Sequence, residues 1–466
     1  MHRERMDRIR QMKHGRQVAR PASREQTFSS VDSALSAVKT PPSMFEDHLQ
    51  KSLANLDARH LRRSLRVSGL PTGPLVRFAD RALHNFASND YLGLAAHPEV
   101  IAAALEATRQ FGAGTGASRL VTGTQTPHHD LEEKLASFKN TAAALVFANG
   151  YAASTGALQA LAGKDDVVLL DKLSHACLVD GARLSGATLR PFHHNDTNHL
   201  EHHLRWAREK HPQARIFIVT ESVFSMDGDT APLRDIVELK DRHGAVLMLD
   251  EAHGTGVLGG GGRGLADQLG LSHRIEVQMG TLGKALGSSG GYIAGSRALI
   301  DFLLNRARGF IFSTAAPAST AAAASAALEI CAGPEGDRRR ARLRELAALF
   351  DQVPPAAIHP VIVGKEEDTL RASDQLAQLG FHVPAVRPPT VPQGTSRLRV
   401  SLSAAHDPVI LRTLAAALRA ITNAPASDNP DTVCPVCGAA LISEKCKVVC
   451  RSATCGYRIV FNCSEF

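Results

Sequence analysis

The sequence contains no stretch with the apolar purity of a membrane span. The run from Phe310 to Leu328, FIFSTAAPASTAAAASAAL, is long enough, but it is mostly Ala, Ser and Thr and holds Pro317. It reads as a buried helix. The first 28 residues lack the apolar core of a secretory signal, and Glu4, Asp7 and Glu25 among them count against an organelle transit peptide. A cytoplasmic protein is the expectation. Net charge is scarce outside this tail: of the formal +7, residues 1–28 carry +5 and the other 438 carry +2. The main body therefore shows no basic surplus of the kind that binds nucleic acid. Cysteine is also scarce. Only Cys177 and Cys331 precede residue 430, and the other six of the eight crowd into the C-terminal end.

What the chain does have is length and alternation. With 466 residues, 44% of them hydrophobic, it can bury a large core and hold two or three domains. Between about 85 and 295, short apolar runs (AALVFANG, DVVLLD, RIFIVTES, GAVLMLDE, EVQMGTLG) alternate with helical stretches such as YAASTGALQALAG and APLRDIVELKDRHG. HPEVIAAALEATRQFG places Pro98 at a plausible first helical position. The pattern predicts an α/β domain with a mostly parallel sheet, whose sites lie at the carboxyl ends of the strands. GAGTGASRL has neither the preceding strand nor the spacing of a dinucleotide loop. The expected organisation is a basic, disordered tail (1–45), an N-terminal segment (46–90), a large α/β domain (91–330) and a smaller α+β domain (331–422). A linker (423–431) and a cysteine-rich end (432–466) complete it.

Chemistry-bearing residues collect at the predicted strand ends. GTLGKALGSSGG sets Lys284 alone among small residues, AVLMLDEAHGTG supplies Asp250 and His253, and LLDKLSHACL supplies His175. VFANGYAAS puts Gly150 and Tyr151 between a strand and a helix. Taken singly, each has an ordinary explanation: a surface lysine in a glycine loop, a capping aspartate, a loop histidine. A Walker loop is excluded because Ala285, not Ser or Thr, follows Lys284. Together they suit pyridoxal phosphate. An amine forms the imine, a buried carboxylate keeps the pyridine nitrogen protonated, an imidazole stacks on the ring, and a helix N-terminus receives the phosphate. The histidines of FHHNDTNHLEHHL read as solvated helix residues rather than a metal site.

SNDYLGLAAHPEV, ESVFSMDGDTAPL, LDEAHGTGVLG, GTLGKALGSSGGY and RPPTVPQGTSRLRVSLSAAH resemble the α-oxoamine synthase family of fold-type I pyridoxal-phosphate enzymes over roughly residues 50–422. The resemblance implies an aminotransferase-like large domain with a smaller α+β C-terminal domain, and a homodimer with active sites at its interface. It implies that Lys284 forms the imine and moves the substrate Cα proton, with Asp250 on the ring nitrogen and His175 on the ring face. His253 and Ser225 would meet the ring hydroxyl. Thr281, Gly150 and Tyr151 would hold the phosphate, with Ser313 or Thr314 of a second subunit. Arg399 would bind the amino-acid carboxylate, Thr390 would sit beside the acyl substrate, and Arg62 would meet the distal carboxylate of the acyl chain. Within the family, RPPTVPQGTSRLR is most similar to the branch that condenses L-alanine with pimeloyl-CoA or pimeloyl-acyl carrier protein in biotin biosynthesis. Sibling acyltransferases that use glycine or serine are the nearest alternative. A non-catalytic scaffold is a third, disfavoured by the retention of Lys284, Asp250, His175 and Arg399.

The C-terminal end departs from that family. Cys434-x2-Cys437-Gly and Cys450-x4-Cys455-Gly look like the two knuckles of a zinc ribbon, with Cys446 and Cys463 as alternative ligands. A segment this short has little core of its own, so a structural Zn2+ would supply folding energy. No basic stripe with aromatics accompanies it, which favours a protein contact or cap over nucleic acid.

Overall fold

The computed structural model describes residues 43–350 and 357–423, with the strand segments 441–444, 447–450 and 458–460. The chain divides into two compact units, Met1–Ala58 and Arg59–Phe466. In the first, a helix spans Met44–Ala58 with Glu46 and Asp47 in its first turn, where the helix dipole favours negative charge. Ser43 Oγ caps it by accepting the Glu46 amide at 3.1 Å.

The second unit opens with an antiparallel pair, β1 (Leu75–Phe78) and β2 (Arg81–Asn85). A seven-stranded sheet follows. Its strands are β3 (Ala143–Phe147), β4 (Val167–Asp171), β5 (Thr188–Phe192), β6 (Ile216–Glu221), β7 (Val246–Asp250), β8 (Val277–Thr281) and β9 (Gly291–Gly295). Their spatial order is β3-β9-β8-β7-β6-β4-β5, and β9 alone in this sheet runs against its neighbours. The mostly parallel sheet expected from the apolar runs is present.

The runs are apolar throughout because both faces are covered. Strand residues alternate between two cores: Val167, Leu169, Ile216 and Ile218 pack on one face, and Val168, Leu170, Phe217 and Val219 on the other. The helices Thr126–Phe138, Thr197–Lys210 and Leu233–His243 close the first core, and Gly150–Leu161 and Ala176–Ser185 close the second. Pro98 begins the helix Pro98–Phe111, as expected. The run from Phe310 is helical only in part. Its long helix is Ala318–Ala332, because Pro317 sits extended at the N-cap and cannot continue a helix from before. No helix among the described residues is long and apolar enough to cross a membrane.

Two small sheets complete the body of this unit. The strands β10 (Ile358–Gly364), β12 (Ala385–Val386) and β13 (Ser396–Ser401) are antiparallel, and β11 (Phe381–His382) pairs with β2. Leu398 and Val400 on β13 face the core, and Arg397 and Arg399 on the opposite face are buried as well. That face looks onto the large sheet's loops rather than solvent. Beyond residue 440, β14 (Leu441–Glu444), β15 (Lys447–Cys450) and β16 (Arg458–Val460) form an antiparallel sheet. Cys434, Cys437 and Cys455 lie outside the described residues, Cys450 closes β15, and the basic tail before residue 43 also lies outside them.

Candidate active site

Lys284, Asp250, His175, His253, Thr281, Gly150 and Tyr151 line one cavity of about 180 Å3 at the carboxyl ends of β3, β7 and β8. Each arrives by a different local device. Asp250 is the last residue of β7, 4% exposed, and its Oδ1 accepts the Ala252 amide at 2.8 Å. Lys284 sits in the glycine turn after β8, closed by the Gly287 amide on its carbonyl at 2.9 Å. His175 caps the helix Ala176–Ser185, its Nδ1 accepting the Cys177 amide at 3.3 Å. Gly150 begins the helix Gly150–Leu161. The cap residue Asn149 takes the Ala152 amide at 2.8 Å, so the first-turn amides of Gly150 and Tyr151 have no intrahelical acceptor. A side chain at 150 would not fit: its Cβ would stand 2.5 Å from Thr281 Cγ2.

The electrostatics follow from burial among opposite charges. Desolvation pushes the Lys284 amine below its ordinary range, opposed by Asp250 and Glu221. Desolvation raises the Asp250 carboxyl, opposed by Lys284, the Ala252 amide and His175. His253 is held well below the usual histidine range by burial and then by the Lys284 and Arg399 charges, and His175 is lowered by burial. A lowered lysine between neutral imidazoles and a buried carboxylate is equipped to attack a carbonyl and to carry a proton.

Behind His253 runs a polar chain to the smaller sheets. Tyr91 Oη lies 2.7 Å from His253 Nδ1 and 3.1 Å from Asn89 Oδ1, and Arg399 Nη1 donates to that same Asn89 oxygen at 3.1 Å. Arg399 also donates from Nε to the Ser225 carbonyl at 2.6 Å and from Nη1 to Ser401 Oγ at 2.6 Å. Ser225 and Arg399 thus meet each other, and Asn89 and Tyr91 connect Arg399 to His253 at the cavity wall. Elsewhere, Arg63 Nη2 reaches the Pro388 carbonyl at 3.2 Å and Arg387 donates to the His60 carbonyl. The exposed Arg62 is therefore brought beside the turn that carries Thr390, whose amide reaches the Arg387 carbonyl at 3.1 Å. Ser313 and Thr314 line a different pocket of the same chain.

Sequence reasoning missed several residues here. Glu221 ends β6 beside Asp250 and accepts the His175 amide at 2.5 Å, and Cys177 lines the cavity with Sγ 3.0 Å from His175 Nδ1. Asn89 and Tyr91 stood inside SNDYLG without any pattern that marked their roles. The histidine-rich segment also needs correction. The helix begins only at Thr197, capped by Asp196, so His193 and His194 precede it, and His203 is buried rather than solvated. Among the described residues no cluster of His, Cys, Asp or Glu could hold a metal ion.

This architecture, with a lysine and an aspartate at the ends of adjacent parallel strands, defines a fold-type I pyridoxal-phosphate enzyme, and the chain belongs to the aminotransferase class I and II family, whose pattern matches residues 81–418. Within it, the chain is 51% identical over 383 residues to the 8-amino-7-oxononanoate synthase of Anaeromyxobacter dehalogenans, covering 80% of this chain and 95% of that one. It is 48% identical to the enzyme of that name from Geobacter sulfurreducens, covering 79% and 96%. Among solved structures it resembles serine palmitoyltransferase from S. paucimobilis with a pyridoxal-phosphate–myriocin adduct bound (TM-score 0.76, 30% identity, 81% and 97% covered). It also resembles the 8-amino-7-oxononanoate synthase of Francisella tularensis (TM-score 0.62, 26% identity, 73% and 97% covered). These relatives bear out the α-oxoamine synthase resemblance.

The residues present fit the cofactor. Thr281 Oγ1 in the cavity wall and Arg399 Nη2 are buried polar atoms with no hydrogen-bond partner. Such groups are costly unless a ligand satisfies them.

Proposed function

We propose that this chain catalyses the decarboxylative condensation of L-alanine with a pimeloyl thioester, on coenzyme A or acyl carrier protein, giving 8-amino-7-oxononanoate, CO2 and free thiol for biotin biosynthesis. The observation that carries the reading is the convergence of Lys284, Asp250 and His175 on one cavity, with the unpartnered Arg399 Nη2 behind it. Lys284 would bond the cofactor aldehyde, Asp250 would hold the ring nitrogen and His175 the ring face. His253 and Ser225 would hold the ring hydroxyl, and Thr281 with the Gly150 and Tyr151 amides the phosphate. Bound there, pyridoxal phosphate supplies an aldehyde for amines and a conjugated ring that delocalises the electron pair left at Cα.

The side chains then divide the remaining work. Arg399 holds the alanine carboxylate through Nη2, which turns the Cα–H bond toward Lys284. The Lys284 amine, lowered by burial, takes that proton. The new C–C bond joins alanine Cα to the thioester carbonyl carbon as the C–S bond breaks and the sulfur leaves as thiolate, which takes a proton from solvent. CO2 then departs from the former alanine carboxylate, and Lys284 returns a proton to the carbon. Thr390 and Arg62 guide the acyl chain. The test is thiol release by purified protein with each pairing of alanine, glycine or serine with pimeloyl-, acetyl-, succinyl- or palmitoyl-CoA. Alanine with pimeloyl-CoA should be fastest. Faster release with serine and palmitoyl-CoA would move the chain to the sibling activity that the serine palmitoyltransferase fold match keeps in view.

The same reading includes a cytoplasmic homodimer, in which Ser313 or Thr314 of one subunit reaches the other's phosphate. Exposed Phe312 and Val121 beside the Ser118–Thr314 bridge support a covered face there. It divides the body into a cofactor domain (91–330) and a smaller C-terminal domain (331–422). It includes one Zn2+ on Cys434, Cys437, Cys450 and Cys455, a reading supported by their spacing. Metal analysis of reduced protein should find one zinc per chain, and removal of residues 426–466 should leave turnover intact.

A further inference from the structure

The loop Ser222–Ala231 leaves β6 and leads into the helix Leu233–His243. Its limbs meet in a bridge between Val223 and Thr230, and the turn is closed by Gly228 N on Phe224 O at 2.8 Å and Phe224 N on Asp229 O at 3.0 Å. One side of this loop carries the substrate-side arginine. Arg399 Nε donates to the Ser225 carbonyl at 2.6 Å, and Arg397 Nη1 donates to Asp227 Oδ1 at 2.5 Å.

The other side is held by two residues with no part in the chemistry above. His194 stands between two carboxylates, Nδ1 3.0 Å from Asp171 Oδ1 and Nε2 2.9 Å from Asp229 Oδ2, with its ring edge-on to Phe224. Asn195 repeats the bridge: its amide donates to Asp171 Oδ2 at 2.9 Å, and its Nδ2 donates to Asp229 Oδ2 at 2.9 Å and to the Thr230 carbonyl at 3.2 Å. Its φ of +54° is one that asparagine tolerates better than most residues. Both ring nitrogens face carboxylate oxygens, an arrangement that favours the imidazolium, while Asn195 Nδ2 also lies 3.3 Å from Nε2. Asp171, the last residue of β4, also accepts the Leu173 amide at 2.9 Å, in the turn that leads to His175.

We propose that His194 and Asn195 are positioning residues for the amino-acid substrate: they tie the Ser225 loop to the end of β4, and that loop in turn fixes the Arg399 guanidinium. Removing the imidazolium leaves Asp171 and Asp229 facing one another unneutralised, and their repulsion opens the loop. Arg399 then loses its fixed acceptor, and the cost of orienting it falls on substrate binding. The inference rests on Arg399 as the alanine carboxylate site.

The experiment titrates L-alanine into holoenzyme and follows the absorbance of the bound cofactor, which gives an alanine dissociation constant independent of the thioester. His194→Gln should weaken alanine binding and raise its KM about tenfold, with the KM for pimeloyl-CoA little changed. Asp229→Asn, which keeps the side chain's size but takes from His194 and Asn195 the anion they hold, loosens the same tie without repulsion; it should also weaken alanine binding and stands in should His194→Gln not fold. Arg399→Lys serves as the reference. If it weakens alanine binding while both bracket variants bind alanine normally and only melt earlier, the bracket is merely structural and the proposal falls. If Arg399→Lys also binds alanine normally, the carboxylate assignment fails first, and the bracket with it.

Discussion

Glu221 and Asp250 are paired in register at the ends of adjacent parallel strands, so two buried carboxyl groups stand side by side at the cavity wall. They divide the labour by environment. Asp250 is drawn back toward ionisation by Lys284, whereas burial and then the Asp250 charge push Glu221 well above the usual carboxylate range. The Glu221 oxygen is a fixed acceptor for the His175 amide. Glu221→Gln should keep cofactor binding and turnover within roughly threefold, since the amide oxygen still accepts that bond. Glu221→Ala leaves a buried amide unpaired and should cost about 1–3 kcal/mol of stability together with the placement of His175. Denaturant melts and turnover of both variants check it. Equal loss in the two would mean that the charge, not the acceptor, is needed.

Lys284→Ala should fold, bind pyridoxal phosphate without a covalent link and lack the imine absorption band. Turnover should fall roughly a thousandfold or more, the scale expected when a positioned proton carrier is removed. Added methylamine should not restore the Lys284 geometry fully, because the lysine is delivered by a turn of fixed shape closed at Gly287. A spectrum and rate like those of the unaltered protein would remove Lys284 from the chemistry.

Gly150 is required by space, not by backbone conformation. The Cβ of Gly150→Ala would fall 2.5 Å from Thr281 Cγ2 and 3.3 Å from Met279 Cε. Either the helix N-terminus or Thr281 must shift, and both belong to the proposed phosphate cradle. Cofactor affinity should drop about tenfold or more, as misplacements of this size do elsewhere. Equilibrium titration of apoprotein with pyridoxal phosphate checks it, with unchanged affinity as the contrary result.

Much of the site was legible because parallel strands buried on both faces leave continuous apolar runs, and the residues that follow such runs lie at one edge of the sheet. Asp250, Lys284 and Gly150 were found in that way. Two strands of the same sheet gave no such run. β5 is an edge strand whose TLRPF carries Arg190 and Pro191, and β9 reads GYIAG, its glycines hiding a strand buried along its whole length. Arg397 and Arg399 alternate with Leu398 and Val400 along β13, and only tertiary packing makes the arginine face interior. His194 was misread with its neighbours because nothing local shows that Asp171 and Asp229, distant in sequence, close on it.

Burial alone would lower His194, but its hydrogen bonds to Asp171 and Asp229 outweigh that and raise it to about 10. In the unfolded chain the same group titrates near ~6.5. A group whose folded pKa lies above its unfolded one binds its proton more tightly when folded. The stability it contributes is therefore fully present below ~6.5 and is lost as pH rises toward about 10, where the ring loses its proton in the folded state as well. The thermal melts of the unaltered protein and His194→Gln should thus differ most near pH 6 and converge by pH 10, both measured without cofactor so that imine chemistry does not enter. Asp171, Asp229 and Asn195 are the same residues in both proteins, so the pH dependence of the difference reports the charge held between the two carboxylates. A gap that stays constant from pH 6 to 10 would mean that the ring is not held as a cation, and that packing alone explains its place.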